Sequence, residues 1–177
     1  SSSGPFSTSP SALPTLAATA ARVLLLDDDP LGRMLTARAL RAHGFEILEF
    51  DRPEDALGVL AVQAFDCVVT DALMPDVDGF EFCRRLRAGR HGRGVPVLML
   101  TSLDGDEATR RACEAGASDF VVKSTNWTLL SHRIRQLVHV GRLERAVGGG
   151  TLVAGPGEVS AVRAAFDWQP GSRRVRA

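Results

Sequence analysis

The chain has 177 residues, 45% of them apolar and 24% charged, with 21 basic side chains balancing 21 acidic ones. That length suits one domain of ordinary size with chain to spare, and the composition is that of a soluble globular protein. Zero net charge offers no global attraction to nucleic acid or to an anionic membrane, and no apolar run approaches the roughly 18 residues of a membrane span.

Residues 1–21 are rich in Ser, Thr, Ala and Pro and lack the basic start and apolar core of a signal peptide. They read as a flexible tail on a cytoplasmic protein. The first predicted strand, Val23–Leu26, runs directly into Asp27-Asp28-Asp29-Pro30. Asp29 as N-cap and Pro30 at the first helical position open a helix that reaches His43 and stops at Gly44. A weaker strand over Phe45–Phe50 follows, with Phe45, Ile47 and Leu48 as its inward residues. A helix from Pro53 to Val62 comes next, then a third strand, Phe65–Thr70, which ends at Asp71.

The loop Asp71–Val77 leads to Asp78, which caps a helix through Arg87. Gly89, Gly92 and Gly94 mark a flexible connection. Val95–Leu100 is the fourth strand, ending at Thr101-Ser102. A polar helix over Asp104–Ala115 terminates at Gly116, and a short fifth strand, Asp119–Val122, ends at Lys123. The last helix, Thr125–Arg145, carries Leu130, Ile134, Leu137 and Val138 at helical spacing, and Trp127 packs its start onto the sheet.

After Val147 the pattern fails, and Gly148-Gly149-Gly150 and Gly155-Pro156-Gly157 read as linker. Residues 22–147 therefore form the ordered domain, and residues 148–177 a linker or the start of a following domain. Strands and helices that alternate in this way predict an α/β fold, a doubly wound five-stranded parallel sheet with helices on both faces. Cys67, Cys83 and Cys113 are odd in number and irregular in spacing, and read as buried reduced thiols. His43, His91, His132 and His139 show no ligand spacing.

In a parallel sheet all strand C-termini point the same way, towards the edge where open α/β folds place their ligands. Asp27 and Asp28, Asp71, Thr101 with Ser102, and Lys123 therefore converge on one crevice although they lie far apart in sequence. Clustered carboxylates repel unless a cation neutralises them, and hard oxygen ligands suit Mg²⁺. A hydroxyl and a lysine suit phosphoryl oxygens, so the set is that of an aspartyl-phosphate site with a carboxylate nucleophile.

The stretches Leu24–Pro30, Asp66–Gly79, Val97–Thr101 and Ala115–Lys123 resemble the receiver domain of two-component response regulators, of which the chemotaxis regulator is the simplest. The resemblance covers about Arg22 to Arg145 and implies the flavodoxin-like (βα)5 receiver fold. It implies that Asp71 accepts a phosphoryl group from a histidine kinase or histidine phosphotransfer protein, catalysing only its own phosphorylation and dephosphorylation. Asp27, Asp28, Asp71 and the backbone carbonyl of Leu73 hold Mg²⁺ on this reading, and Lys123 pairs with the phosphoryl oxygens. Thr101 and Phe120 match the family's switch pair.

The affected surface is then the fourth helix, fifth strand and fifth helix. Its expected exposed charges are Arg110, Arg111, Glu114, Asp119, Arg133 and Arg135, whose mixed signs suit a partner or a homodimer. The first helix, with Arg33, Met34 and Arg38, is the expected kinase-docking face.

Plainer roles fall to other residues. Asp29 and Asp78 read as helix caps and Asp76 as solvated. Three positions depart from the family pattern. Ser124 follows Lys123 where proline in a cis bond is usual, and a cis bond without proline costs about 2.5–4 kcal/mol. Leu73 is apolar, and Ser102 is small.

One rival reading is a non-phosphorylated receiver-like interaction module. Another, an aspartyl-nucleophile phosphatase, lacks the second Asp two residues beyond the nucleophile, since Leu73 stands there. The run Lys123–Trp127 with Arg133-Ile134-Arg135 resembles receivers attached to cyclic-diguanylate enzymes or sensor kinases.

Overall fold

The computed structural model describes residues 19–90, 92–102, 105–124 and 126–148. Residues 1–141 and 142–177 separate as two units, and the packing below is that of the first. Most of the predicted tail, the segment after residue 148, His91, Asp104 and Thr125 lie outside the described residues.

Among the described residues five strands and five helices alternate: β1 (Arg22–Leu26), α1 (Pro30–Ala42), β2 (Glu46–Phe50), α2 (Pro53–Leu60), β3 (Cys67–Asp71), α3 (Gly79–Ala88), β4 (Val97–Thr101), α4 (Asp106–Ala115), β5 (Asp119–Val122) and α5 (Trp127–Gly148). The strands pair in parallel in the order β2-β1-β3-β4-β5. Alternate residues of each strand feed opposite faces of the sheet, as its pleat requires. Leu24, Leu26, Val68 and Met99 join a cluster with Ala56, Phe80, Phe82 and Ala112 from α2, α3 and α4. Val23, Leu25, Val69 and Leu98 join another with Ala37 and Leu40 of α1 and Ile134 and Val138 of α5. Burial on both faces explains why β3 and β4 are apolar almost throughout.

Several boundaries differ from expectation by one to three residues, some elements ending earlier and others, such as β3 at Asp71 and β4 at Thr101, running one residue further. Gly44 stops α1 with φ +90°, a left-handed conformation that glycine adopts without steric cost. Leu48 belongs to the other face from Ile47 and packs, half-buried, against the α2–α3–α4 side. The segment after α3 is not a free glycine connection. Arg87 donates to the carbonyls of Gly92 and Val95 at 2.6 Å each and of Gly116 at 2.9 Å, binding the ends of α3, β4 and α4 together.

Cys67 and Cys83 are buried as expected, but Cys113 is exposed because it lies on the solvent side of α4. Burial pushes the Cys67 thiol up to about 12, which keeps it inert.

The charges expected on the α4–β5–α5 surface divide in two. Arg110, Glu114 and Arg135 are exposed, whereas Arg111, Asp119 and Arg133 are half-buried. Arg111 lies over the Phe80 ring, 4.2 Å from its centroid, and 3.4 Å from Asp78 Oδ2. Asp119 and Arg133 pair with each other at 3.5 Å. Their partners lie on other elements, beyond what exposure patterns along one helix reveal.

Candidate functional site

The chain leaves β1, crosses to β2 on one side, then returns to place β3 on the other, so the strand order reverses between β1 and β3. Such switch points open a crevice at the strand C-termini. Asp27 stands at the end of β1, its amide donating to the Phe50 carbonyl at 3.1 Å and its side chain 3% exposed. Asp71 is the last residue of β3, its side chain 9% exposed. Asp27, Asp28 and Asp71 each offer a carboxylate oxygen, and these atoms lie within 4.8 Å of one another.

Lys123 follows β5 and is positioned by its amide, which donates to the Thr101 carbonyl at 2.6 Å. Its Nζ lies 2.8 Å from Asp71 Oδ2 and 3.4 Å from Asp27 Oδ2.

Burial pushes the Asp27 carboxyl above its ordinary value of 3.8. The Asp29 amide and Lys123 oppose that rise, while Asp71 adds to it. For Lys123 burial is the largest single influence and works against the charge. Asp71 and Asp27 together outweigh it and hold the ammonium above its ordinary value of 10.5. One cation thus serves two carboxylates in a half-closed crevice, while a third carboxylate, Asp28, stands beside them.

This donor set fits a divalent ion. Its oxygens are hard and anionic, they converge from two strands, and the trio carries more negative charge than Lys123 neutralises.

Thr101, fully buried, ends β4, and Phe120 is half-buried on β5 against the α2–α3–α4 cluster. Met99 pairs with Phe120 and Thr101 with Val122, so Thr101 and Phe120 share a face one diagonal step apart. Asp29 and Asp78 are caps, accepting from the Gly32 and Glu81 amides at 2.9 Å each. Asp76 is exposed with φ 66°. Leu73 is 43% exposed, and its amide donates to Asp71 Oδ1 at 3.2 Å. Among the described residues no peptide bond is cis, so Lys123–Ser124 is trans. Lys123 nevertheless reaches Asp71.

Beside the acids a cleft of about 280 Å³ is lined by Leu35, Thr36, Val122, Lys123 and Trp127, among others. One contact escapes sequence reasoning. Arg33 Nη1 donates to the Asp27 carbonyl at 2.7 Å.

The family model of the response regulator receiver domain matches residues 23–135. The chain belongs to that family. It is 34% identical over 122 residues to the transcriptional regulatory protein AfsQ1 of Streptomyces coelicolor, which covers 69% of this chain and 53% of that one. The chain spans about half or less of the length of curated relatives that it matches.

Among solved structures, the chemotaxis protein CheY4 of Vibrio cholerae superposes with TM-score 0.63 at 28% identity, covering 67% of this chain and 98% of that one. The receiver domain of the sensor histidine kinase PA1611 of Pseudomonas aeruginosa superposes with TM-score 0.62 at 25% identity, covering 68% of this chain and 98% of that one. In that protein a magnesium ion is coordinated in the active-site cleft.

This receiver therefore belongs to a family that works in two-component phosphorelays, binds Mg²⁺ at an acidic pocket and meets histidine kinases or phosphotransfer proteins. Among the described residues no helix is long and apolar enough to cross a membrane.

Proposed function

We propose that Asp71 is the phosphoacceptor of this receiver and takes its phosphoryl group from the phosphohistidine of a histidine kinase or histidine phosphotransfer protein. A carboxylate oxygen of Asp71 forms the new bond to phosphorus as the phosphorus–nitrogen bond breaks. The imidazole leaves with the electron pair and takes up a proton from water. The single observation behind this reading is the convergence of the Asp27, Asp28 and Asp71 oxygens within 4.8 Å, with the Lys123 ammonium 2.8 Å from Asp71.

Each residue has a separate task. Asp71 is the nucleophile, and Lys123 follows the phosphoryl oxygens as charge builds on them. Asp27, Asp28, Asp71 and the Leu73 carbonyl are the residues we assign to Mg²⁺. Bound there, the ion supplies positive charge that offsets the phosphoryl oxygens. The chemistry is confined to the protein's own phosphorylation and dephosphorylation, so this is a switch in the cytoplasm rather than an enzyme with a separate substrate.

The added group brings about −1.5 to −2 charges. The Thr101 hydroxyl turns towards it, Phe120 fills the space vacated, and the α4–β5–α5 surface changes its preferred partner, a second copy included. We assign residues 22–147 to this receiver and the flanks to a tail and to a linker or following domain.

Beryllofluoride, a phosphoryl mimic, tests the assignment when titrated with Mg²⁺. The wild type binds it and Asp71→Asn does not. Binding that survives Asp71→Asn would overturn the assignment of the nucleophile. A wild type that ignores millimolar Mg²⁺ would favour a pure interaction module.

A further inference from the structure

Asp27 has every polar atom engaged. Its amide donates to the Phe50 carbonyl at 3.1 Å, Oδ1 accepts from the Asp29 amide at 3.0 Å, and Oδ2 faces Lys123 at 3.4 Å. The remaining atom, the backbone carbonyl, lies past the last ladder pair of β1. A buried carbonyl at such a position needs a partner. It accepts from Arg33 Nη1 at 2.7 Å, one turn into α1.

Arg33 is itself held. Its own amide donates to the Asp29 carbonyl at 2.9 Å, its guanidinium side chain is 20% exposed, and Nε lies 4.0 Å from Glu49 of β2. Glu49 is fixed in turn by Arg41 at 2.9 Å, which also donates to the Ile47 carbonyl at 2.9 Å.

We propose that Arg33 is a positioning residue that locks the Asp27–Asp28 turn in the orientation needed to hold a divalent cation. The inference rests on the phosphoacceptor reading above. The turn between β1 and the Asp29 cap is short, and rotation of the Asp27–Asp28 peptide would swing both carboxylates. A hydrogen bond from the rigid guanidinium to the Asp27 carbonyl blocks that rotation. The planar fork also lets one side chain face a carbonyl and a carboxylate at once, which a lysine does less well. Arg33 touches no ligand oxygen, so it acts through the backbone of the turn. Groups that orient metal ligands carry a large share of a site's affinity.

The test compares the full chain with Arg33→Ala, Arg33→Lys and Glu49→Gln, using calorimetric Mg²⁺ titration and amide hydrogen exchange without metal. Arg33→Ala should weaken Mg²⁺ binding about 10-fold and speed exchange at Asp28 and Asp29, with β4 amides unchanged. Arg33→Lys should recover only part of the loss, and Glu49→Gln should lose less than Arg33→Ala. Unchanged Mg²⁺ affinity and unchanged exchange in Arg33→Ala would overturn the proposal. Uniformly faster exchange throughout the sheet would also overturn it, by showing a general stability role. Should the wild type bind no Mg²⁺, the phosphoacceptor reading fails instead. Selective loosening of the metal-free turn in Arg33→Ala would then still separate the two.

Discussion

Gly79 lies so close to Asp71 that a β-carbon on it would run into the Asp71 carbonyl oxygen and crowd the Ala72 backbone. The first turn of α3 thus rests directly on the backbone that carries the candidate nucleophile, secured by the Gly79 amide donating to the Ala72 carbonyl at 3.0 Å. Gly79→Ala should cost about 1–3 kcal/mol, the usual range for overpacking where only backbone can yield. Urea denaturation measures the cost. It should also weaken beryllofluoride binding, since relief of the clash displaces Asp71. A variant with wild-type midpoint and binding would show that α3 can shift freely.

Removing Lys123 leaves Asp27 and Asp71 facing each other without a cation. Lys123→Ala should lose about 1–3 kcal/mol in metal-free buffer, the scale of leaving buried polar partners unsatisfied. Millimolar Mg²⁺ should restore part of it by mass action, because the ion binds only the folded trio. Equal urea midpoints for both proteins in chelator would refute the coupling.

Asp27 makes a pH prediction whose sign is fixed by burial. Its carboxyl sits above 3.8 when folded, so the folded state holds the proton more tightly than the unfolded chain. Its contribution to stability therefore falls as pH rises from 3.8 towards the folded value, and the charged form remains a cost above that. Asp27→Asn should be more stable than wild type at pH 7 without metal, with the difference shrinking towards pH 4. Lys123 follows the same sign in the alkaline range, because its folded value is also raised. Its contribution is complete below 10.5 and is lost as pH rises through its higher folded value. Thermal melts of both proteins across pH in chelator check this. A difference that grows as the solution is acidified would contradict the sign.

Arg87→Ala should cost about 1.5–3 kcal/mol, the range for hydrogen bonds to a charged donor. The carbonyls of Gly92, Val95 and Gly116 lose their shared partner. Exchange should rise first in the segment before β4 and at the end of α4. Loss confined to α3 would mean that the arginine stabilises its own helix alone.

At Asp76 the backbone holds φ 66° in the loop that follows β3. A branched side chain is penalised there, so Asp76→Val should cost about 1–2 kcal/mol, whereas Asp76→Gly should be nearly neutral. Urea midpoints distinguish the two, and equal effects would remove the backbone as the cause.

Much of this protein was readable as a string. Apolar runs ending in acids located β1 and β3, and Asp29-Pro30 and Asp78-Gly79 announced the starts of α1 and α3. Those features are local, because caps and periodic burial act within a turn or a strand. The likeness to receiver domains added which strand ends mattered.

What folding alone decided was where long side chains end. Lys123 finds Asp71 52 residues away, Arg111 finds Asp78 at 33, and Arg87 finds Gly116 at 29. The same packing turned Arg111 and Arg133 inward from their expected exposure and bent Arg33 back onto the Asp27 carbonyl. Residue order encodes the reach of an arginine or lysine but not its destination. The destination is set by which helix ends the sheet brings together, and by which buried carbonyls and carboxylates there still need a donor.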